Sequence, residues 1–193
     1  MYAFIRGKVV EKNPAVVVIE NNGIGYVIHI SLNTFSAIGD QTEAKLYTYL
    51  VVREDAHVLY GFITVAEKEL FLHLISVSGV GPNTARMILS SLTTAEATEA
   101  IANGDARLLQ SVKGIGGKTA QRIVIDLKDK ISKSDVFVEK VTTSHNTVKA
   151  EALSGLMILG FNKNTVEKVL DKLLQQQPEI SVEVLIKESL KLL

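Results

Sequence analysis

Two stretches of the chain carry the same glycine-rich signature, 35 residues apart. The first is Leu74-Ile75-Ser76-Val77-Ser78-Gly79-Val80-Gly81-Pro82-Asn83-Thr84-Ala85-Arg86-Met87-Ile88-Leu89. The second is Leu109-Gln110-Ser111-Val112-Lys113-Gly114-Ile115-Gly116-Gly117-Lys118-Thr119-Ala120-Gln121-Arg122-Ile123-Val124, and eight of the sixteen aligned positions are identical. Each unit reads helix, Gly-apolar-Gly, helix. The glycines permit a tight turn with positive φ, and the apolar residue between them is placed to turn inward as an anchor. The helix that follows then offers first-turn amides with no intrahelical acceptor, reinforced by the positive end of the helix dipole. That is the chemistry of an anion site, and its duplication suits two phosphates of a nucleic-acid backbone, gripped by position and not by base. The residues so placed are Gly79, Val80, Gly81, Asn83, Thr84 and Arg86 in the first unit. In the second they are Lys113, Gly114, Ile115, Gly116, Gly117, Lys118, Thr119 and Arg122.

Charge agrees with this reading. Lys+Arg and Asp+Glu are 21 each, so the chain is formally neutral. Yet between Arg107 and Lys133 there are seven basic residues against only Asp126 and Asp129, a basic stripe on the second hairpin. Enzymatic readings of the same residues fail on spacing. Gly116-Gly117-Lys118-Thr119 imitates the end of a phosphate-binding P-loop, but that motif needs glycine where Val112 stands. A dinucleotide fingerprint needs a third glycine where Thr84 and Thr119 stand. The four histidines, His29, His57, His73 and His145, show no metal-ligand spacing, and with no cysteine there are no disulfides, thiolate nucleophiles or Cys-based zinc sites. Neither a cofactor nor a His- or Cys-ligated metal is expected, and a monovalent cation where the hairpin turn carbonyls converge stays open. Glu54-Asp55 is the only adjacent acidic pair in the first third of the chain; no partner across a cleft is identifiable for acid–base work.

Composition is that of a globular chain, 47% apolar and 22% charged, with an aromatic content of 6% that disfavours a large base-stacking platform. No apolar run approaches the roughly 20 residues of a bilayer span. Met1 to Lys8 lack the basic-then-apolar order of a signal peptide, so the expected compartment is the cytoplasm.

The elements that position the glycine turns fall into segments. Residues 1–63 are rich in short β-branched and aromatic runs, such as Ala15–Ile19, Tyr26–Ile30 and Lys45–Val52, separated by Asn13-Pro14, Asn21-Asn22-Gly23 and Gly39-Asp40. Five or six short strands with close turns predict a small OB-type barrel. Residues 64–132 read as short helices carrying the tandem hairpins, with capping-box spacing at Thr64–Glu67 and Thr93–Glu96. Residues 133–147 lose the apolar period and predict a flexible linker, with a short strand at Val136–Val138 as the alternative. Residues 148–193 predict a three-helix bundle, with one stripe of Ala152, Leu153, Leu156 and Leu159, another of Val166, Val169, Leu170, Leu173 and Leu174, and Ser181 capping the last helix.

The paired units resemble the helix-hairpin-helix DNA-binding motif. The whole order of barrel, two hairpins, linker and bundle resembles the RuvA family of Holliday-junction-binding subunits. The residues carrying that likeness are Val51-Val52-Arg53-Glu54-Asp55-Ala56 with Leu59-Tyr60-Gly61-Phe62, then Gly79-Val80-Gly81-Pro82, Gly114-Ile115-Gly116 with Lys118-Thr119-Ala120, and Ala152-Leu153 through Leu159-Gly160-Phe161. The resemblance implies an OB-type barrel, a central all-α domain and a C-terminal UBA-like bundle. It implies a non-catalytic homotetramer that holds a four-way DNA junction open in recombination and repair, alone or as two tetramers enclosing the junction. Its implied partners are RuvB, a hexameric ATP-driven motor recruited by the bundle, and the resolvase RuvC. Glu54 and Asp55 match the family's acidic pin, and Leu156, Leu159 and Phe161 match the surface offered to RuvB. Two departures stand out. Where the family often has Lys after Gly-Pro and Lys-Lys after Gly-Ile-Gly, this chain has Asn83 and Gly117-Lys118. Asn83 can bond a phosphate without charge, and Arg86, one turn on, is the candidate to replace the charge. The rival reading is a generic hairpin accessory to a nuclease or polymerase, with the barrel as single-strand binder.

Overall fold

The computed structural model describes residues 2–132, 144–177 and 180–193. The chain divides into two compact units, Met1–Val138 and Glu139–Leu193.

The first unit opens with five strands: β1 (Phe4–Asn13), β2 (Val16–Asn21), β3 (Ile24–Ile30), β4 (Glu43–Val52) and β5 (His57–Phe62). They close into a barrel in the order β1-β2-β3-β5-β4. Local turn chemistry sets the first two hairpins. Asn13 Oδ1 accepts from the amides of Ala15 and Val16, both at 2.9 Å, and Asn22 and Gly23 both take positive φ, the pair of values that a two-residue hairpin turn requires. Closure comes from the parallel pairing of β3 with β5, in which His29 faces Tyr60 across the ladder. Ile5, Val17, Ile19, Ile28, Ile30 and Leu46 fill the interior, joined by Ile38 of a helix absent from the sequence reading, α1 (Leu32–Ile38). Its signals were present: Ser31 caps it by accepting from the Thr34 amide, and Gly39 follows its end.

Five helices complete this unit: α2 (Val65–Ile75), α3 (Pro82–Ser91), α4 (Thr94–Asn103), α5 (Ala106–Gln110) and α6 (Gly117–Ser132). The Thr93–Glu96 capping box forms in both directions. At Thr64–Glu67 only half forms. Thr64 accepts from the Glu67 amide, but the buried Glu67 carboxylate instead accepts from Ser31 Oγ at 2.6 Å, Thr34 Oγ1 at 2.7 Å and the Ile63 amide at 3.1 Å. A carboxylate out of water needs such donors, and the N-terminal turn of α1 and the chain just ahead of α2 supply them. The helical core, built on Phe71, Leu74, Ile88, Leu109, Ile123 and Leu127, extends into Tyr60 and Phe62 of β5. The Phe71 ring lies 4.8 Å from that of Phe62 and 5.3 Å from that of Tyr60. β5 thus contributes to the helical core, while the barrel interior is a separate cluster.

The second unit contains α7 (Ser144–Ile158), α8 (Lys163–Gln176) and α9 (Val182–Leu192), packed around Ala152, Leu156, Val166, Leu170, Ile180 and Leu185. Asn162 and Ser181 cap α8 and α9. α7 starts at Ser144, inside the stretch read as linker; the apolar stripe used to place the helix starts only at Ala152, and backbone hydrogen bonding does not wait for it. Residues 133–143, with the alternative strand at Val136–Val138, lie outside the described residues.

Candidate nucleic-acid interface

The 35-residue repeat in sequence is a repeat in hydrogen bonds. Between α2 and α3 the Val77 amide donates to Leu74 O at 3.1 Å, Val80 to Val77 O at 3.0 Å, and Ala85 to Gly81 O at 2.9 Å. Between α5 and α6 the Val112 amide donates to Leu109 O at 3.3 Å, Ile115 to Val112 O at 3.0 Å, and Ala120 to Gly116 O at 2.9 Å. Even the side chains repeat: Ser76 Oγ donates to His73 O and Ser111 Oγ to Leu108 O. Val80 and Ile115, the residues between the glycines, are 4% and 5% exposed and belong to the helical core, as anchors must.

The four glycines serve two purposes. Gly79 and Gly114 sit at φ +89° and +90°, where an L side chain is strained. Gly81 and Gly116 have no positive φ, and a Cβ at either would meet nothing within 4 Å. Neither backbone conformation nor internal packing demands glycine there. What a missing side chain does provide is an unobstructed approach from outside to the backbone at each helix start. Gly81 caps α3 with no side-chain hydrogen bond, so no oxygen of its own side chain covers the first-turn amides.

The expected cationic and polar residues are distributed unequally. Lys113, Lys118 and Arg122 are exposed around the second turn, and Thr84 and Thr119 are half-buried at the corresponding helix starts. Gly117 opens α6. Arg122 Nη1 donates to Ser78 O at 3.1 Å, so the helix of the second hairpin is tied to the turn of the first. Arg86 is placed differently from the expectation. Its Nη1 donates to the carbonyl of Ala15 in the β1–β2 turn at 3.2 Å and to that of Ile30, the last residue of β3, at 3.5 Å, and its Nε is buried without a partner among the described residues. The guanidinium fastens α3 to the barrel at the β1–β2 turn and the end of β3. Asn83 is exposed, and its Oδ1 accepts from the Tyr60 hydroxyl at 3.2 Å. Next to Tyr60, its ring 5.8 Å away, His29 is held below the usual imidazole value, first by burial and second by the nearby positive charge of Arg86. The contacts of Tyr60, Ser78 and His29 could not be read from the sequence, because each is made with a residue distant in the chain.

Glu54 and Asp55 occupy the β4–β5 turn, closed by the Arg53 amide donating to Ala56 O at 2.9 Å, and both are exposed. In the bundle, Leu156 is fully buried and is core, not surface; it points into α8 and α9 neighbours that complete a very small interior. Leu159 lies beyond the end of α7, where helical spacing no longer applies, and is 61% exposed. Phe161, Met157 and Ile158 are exposed beside it in sequence. Among the described residues no helix is long and apolar enough to cross a membrane, and no group of His, Cys, Asp or Glu is placed to hold a metal.

Comparison with known proteins matches each part of this architecture. The RuvA N terminal domain covers residues 1–61, a SAM-like helix-hairpin-helix tandem covers 71–129, and the RuvA C-terminal domain covers 147–193. A protein of Christiangramia forsetii is 54% identical over 191 residues, covering 99% of both chains. This chain belongs to the RuvA family. The relative from Christiangramia forsetii is named Holliday junction branch migration complex subunit RuvA. Relatives of the same name from Flavobacterium psychrophilum and Cytophaga hutchinsonii are 48% and 46% identical over essentially their whole lengths. The five-strand OB-type barrel, the hairpin domain and the C-terminal bundle described above are the RuvA architecture.

Proposed function

We propose that this chain is the non-catalytic DNA-binding scaffold of a Holliday junction branch migration complex, acting in recombination and repair. The observation that carries the reading is the pair of hairpins, alike bond for bond, each with an unobstructed glycine ahead of a helix start. Two anion sites of equal geometry on one compact unit suit two backbone phosphates at a fixed separation. Arg122, bonded across to Ser78, sets that separation, and Lys113 and Lys118 add the long-range attraction. Four copies around a four-way junction, in one tetramer or two, would grip all four arms. Glu54 and Asp55, exposed on a tight turn, act as the pin: two carboxylates near the junction centre repel phosphates and guide separating strands. The ATP-driven step belongs to a separate motor, RuvB, which the bundle recruits through the exposed Leu159 and Phe161. Leu156 supports that surface from beneath. RuvC is the further partner, acting on the junction so held.

The test is a gel-shift titration of the full chain against a four-way junction, a duplex and a single strand at one salt concentration. The junction is expected to bind tightest; equal affinity for the single strand would favour the generic accessory instead. Gly81→Asp with Gly116→Asp is expected to weaken junction binding more than about tenfold, by putting a carboxylate where the phosphate approaches. Its thermal midpoint should hold, since neither position has positive φ or near neighbours. Glu54→Gln with Asp55→Asn should move the other way and tighten binding, most at low salt. Junction affinity untouched by the glycine pair would remove the hairpins from the interface.

A further inference from the structure

The two phosphate sites differ at several aligned positions, and one of them changes how a phosphate can be held in the first helical turn: Lys118 in the second hairpin corresponds to Asn83 in the first. A lysine acts as a mobile point charge, whereas a carboxamide acts only through directed hydrogen bonds and must be aimed. On its own the aim is poor, because the terminal torsion of an asparagine has a broad, roughly two-fold preference. Here the aim is supplied. Tyr60 is 4% exposed, in a strand paired on both sides, facing His29 on β3 and Tyr49 on β4. Its ring is held against Phe71 and His29 at 5.3 and 5.8 Å between centroids. Its hydroxyl therefore has one place to be, and from there it donates to Asn83 Oδ1 at 3.2 Å. That bond occupies the acceptor end of the carboxamide and leaves the donor end, the two N–H bonds of Nδ2, on an exposed side chain in the first turn of α3.

We propose that Tyr60 is a positioning residue for the first phosphate site, fixing the Asn83 carboxamide so that its Nδ2 donates to a phosphate oxygen beside the α3 amides. The inference rests on the junction-binding reading above. It makes the two hairpins unlike in kind: the second attracts from a distance and depends on salt, the first is short-ranged, directional and nearly salt-independent.

The test is a double-mutant cycle on the full chain, read by junction affinity across a salt series, with thermal unfolding as the folding check. Tyr60→Phe keeps the ring and removes only the hydroxyl. It is expected to weaken binding about three- to tenfold with an unchanged salt slope. In an Asn83→Ala background the same change should cost nothing further. Asn83→Asp keeps an oxygen for Tyr60 but has no donors, and should lose at least as much as Asn83→Ala. Asn83→Lys in the Tyr60→Phe background should restore affinity and steepen the slope by about 0.9 for each site that gains the charge. If Tyr60→Phe binds like wild type, or if it weakens binding equally with Ala at 83, the positioning role is overturned. The Gly81→Asp, Gly116→Asp pair is the separate control: its failure to weaken binding would overturn the junction-binding reading itself, whatever the cycle gives.

Discussion

At the scale of single residues, side chains of similar chemistry have been given separate work by their surroundings. Arg122 reaches from one hairpin to the other, while Arg86 holds the first hairpin to the barrel through the carbonyls of Ala15 and Ile30. The Arg86 charge has a consequence for stability. Burial, and secondarily that charge, disfavour the protonated form of His29, so the folded chain takes up this proton less readily than the unfolded chain. The unfolded state then binds more protons in the window below the ordinary imidazole value of 6.5. Stability from this site is therefore fully present above that value and is lost as the pH falls through the lower folded value. His29→Gln, which cannot take the proton, is expected to shrink the drop in thermal midpoint between about pH 7.5 and about pH 5.5. An identical drop in the variant would mean that His29 does not contribute.

At the scale of elements, the end of α7 separates core from surface within a few residues. The helix stops at Ile158, and Gly160 at φ +96° reverses the chain, with the Phe161 amide donating back to Leu156 O at 3.2 Å. Leu156 is inside the last full turn and completely buried, whereas Leu159 is past it and exposed. Leu156→Ala is expected to cost about 2–5 kcal/mol of bundle stability, in proportion to the cavity left. Leu159→Ala should stay within about 0.5 kcal/mol of wild type. Chemical unfolding of the two variants checks this, and a large loss at Leu159 would return it to the core. The same scale explains why two like capping signals, Thr64–Glu67 and Thr93–Glu96, end differently. Glu96 faces solvent, and its bonds to the Thr93 amide and hydroxyl hold its carboxyl below the usual range. Glu67 is drawn inward by three better-placed donors.

At the scale of the whole molecule, a formally neutral chain concentrates basic residues between Arg107 and Lys133, and Lys113, Lys118 and Arg122 among them are exposed. Junction affinity should accordingly fall steeply with salt even though the net charge is zero. Met1–Val138 contains both the barrel core and the hairpin core, and the helical bundle has an interior of its own. A fragment of residues 1–138 is expected to fold and to bind the junction within about threefold of the full chain, since every phosphate contact proposed lies within it. It should fail to stimulate the ATPase of the RuvB motor. A folded fragment that does not bind would show that the bundle takes part in gripping DNA.

Taken alone, the order of residues settled whatever is closed by bonds between near neighbours. The two glycine turns, the inward anchors Val80 and Ile115, the capping of α4, the Asn-Gly hairpin and the alternation of barrel strands all depend on groups a few positions apart, and identical spacing in two places produced identical bonds. It did not settle what lies between elements distant in the chain. Arg86 finding Ala15, Tyr60 finding Asn83, Glu67 finding Ser31 and Arg122 finding Ser78 span between 23 and 71 positions. Which side chain of a helix meets which strand end is decided by how the apolar faces pack, and polar groups then bond to whatever that packing leaves within reach.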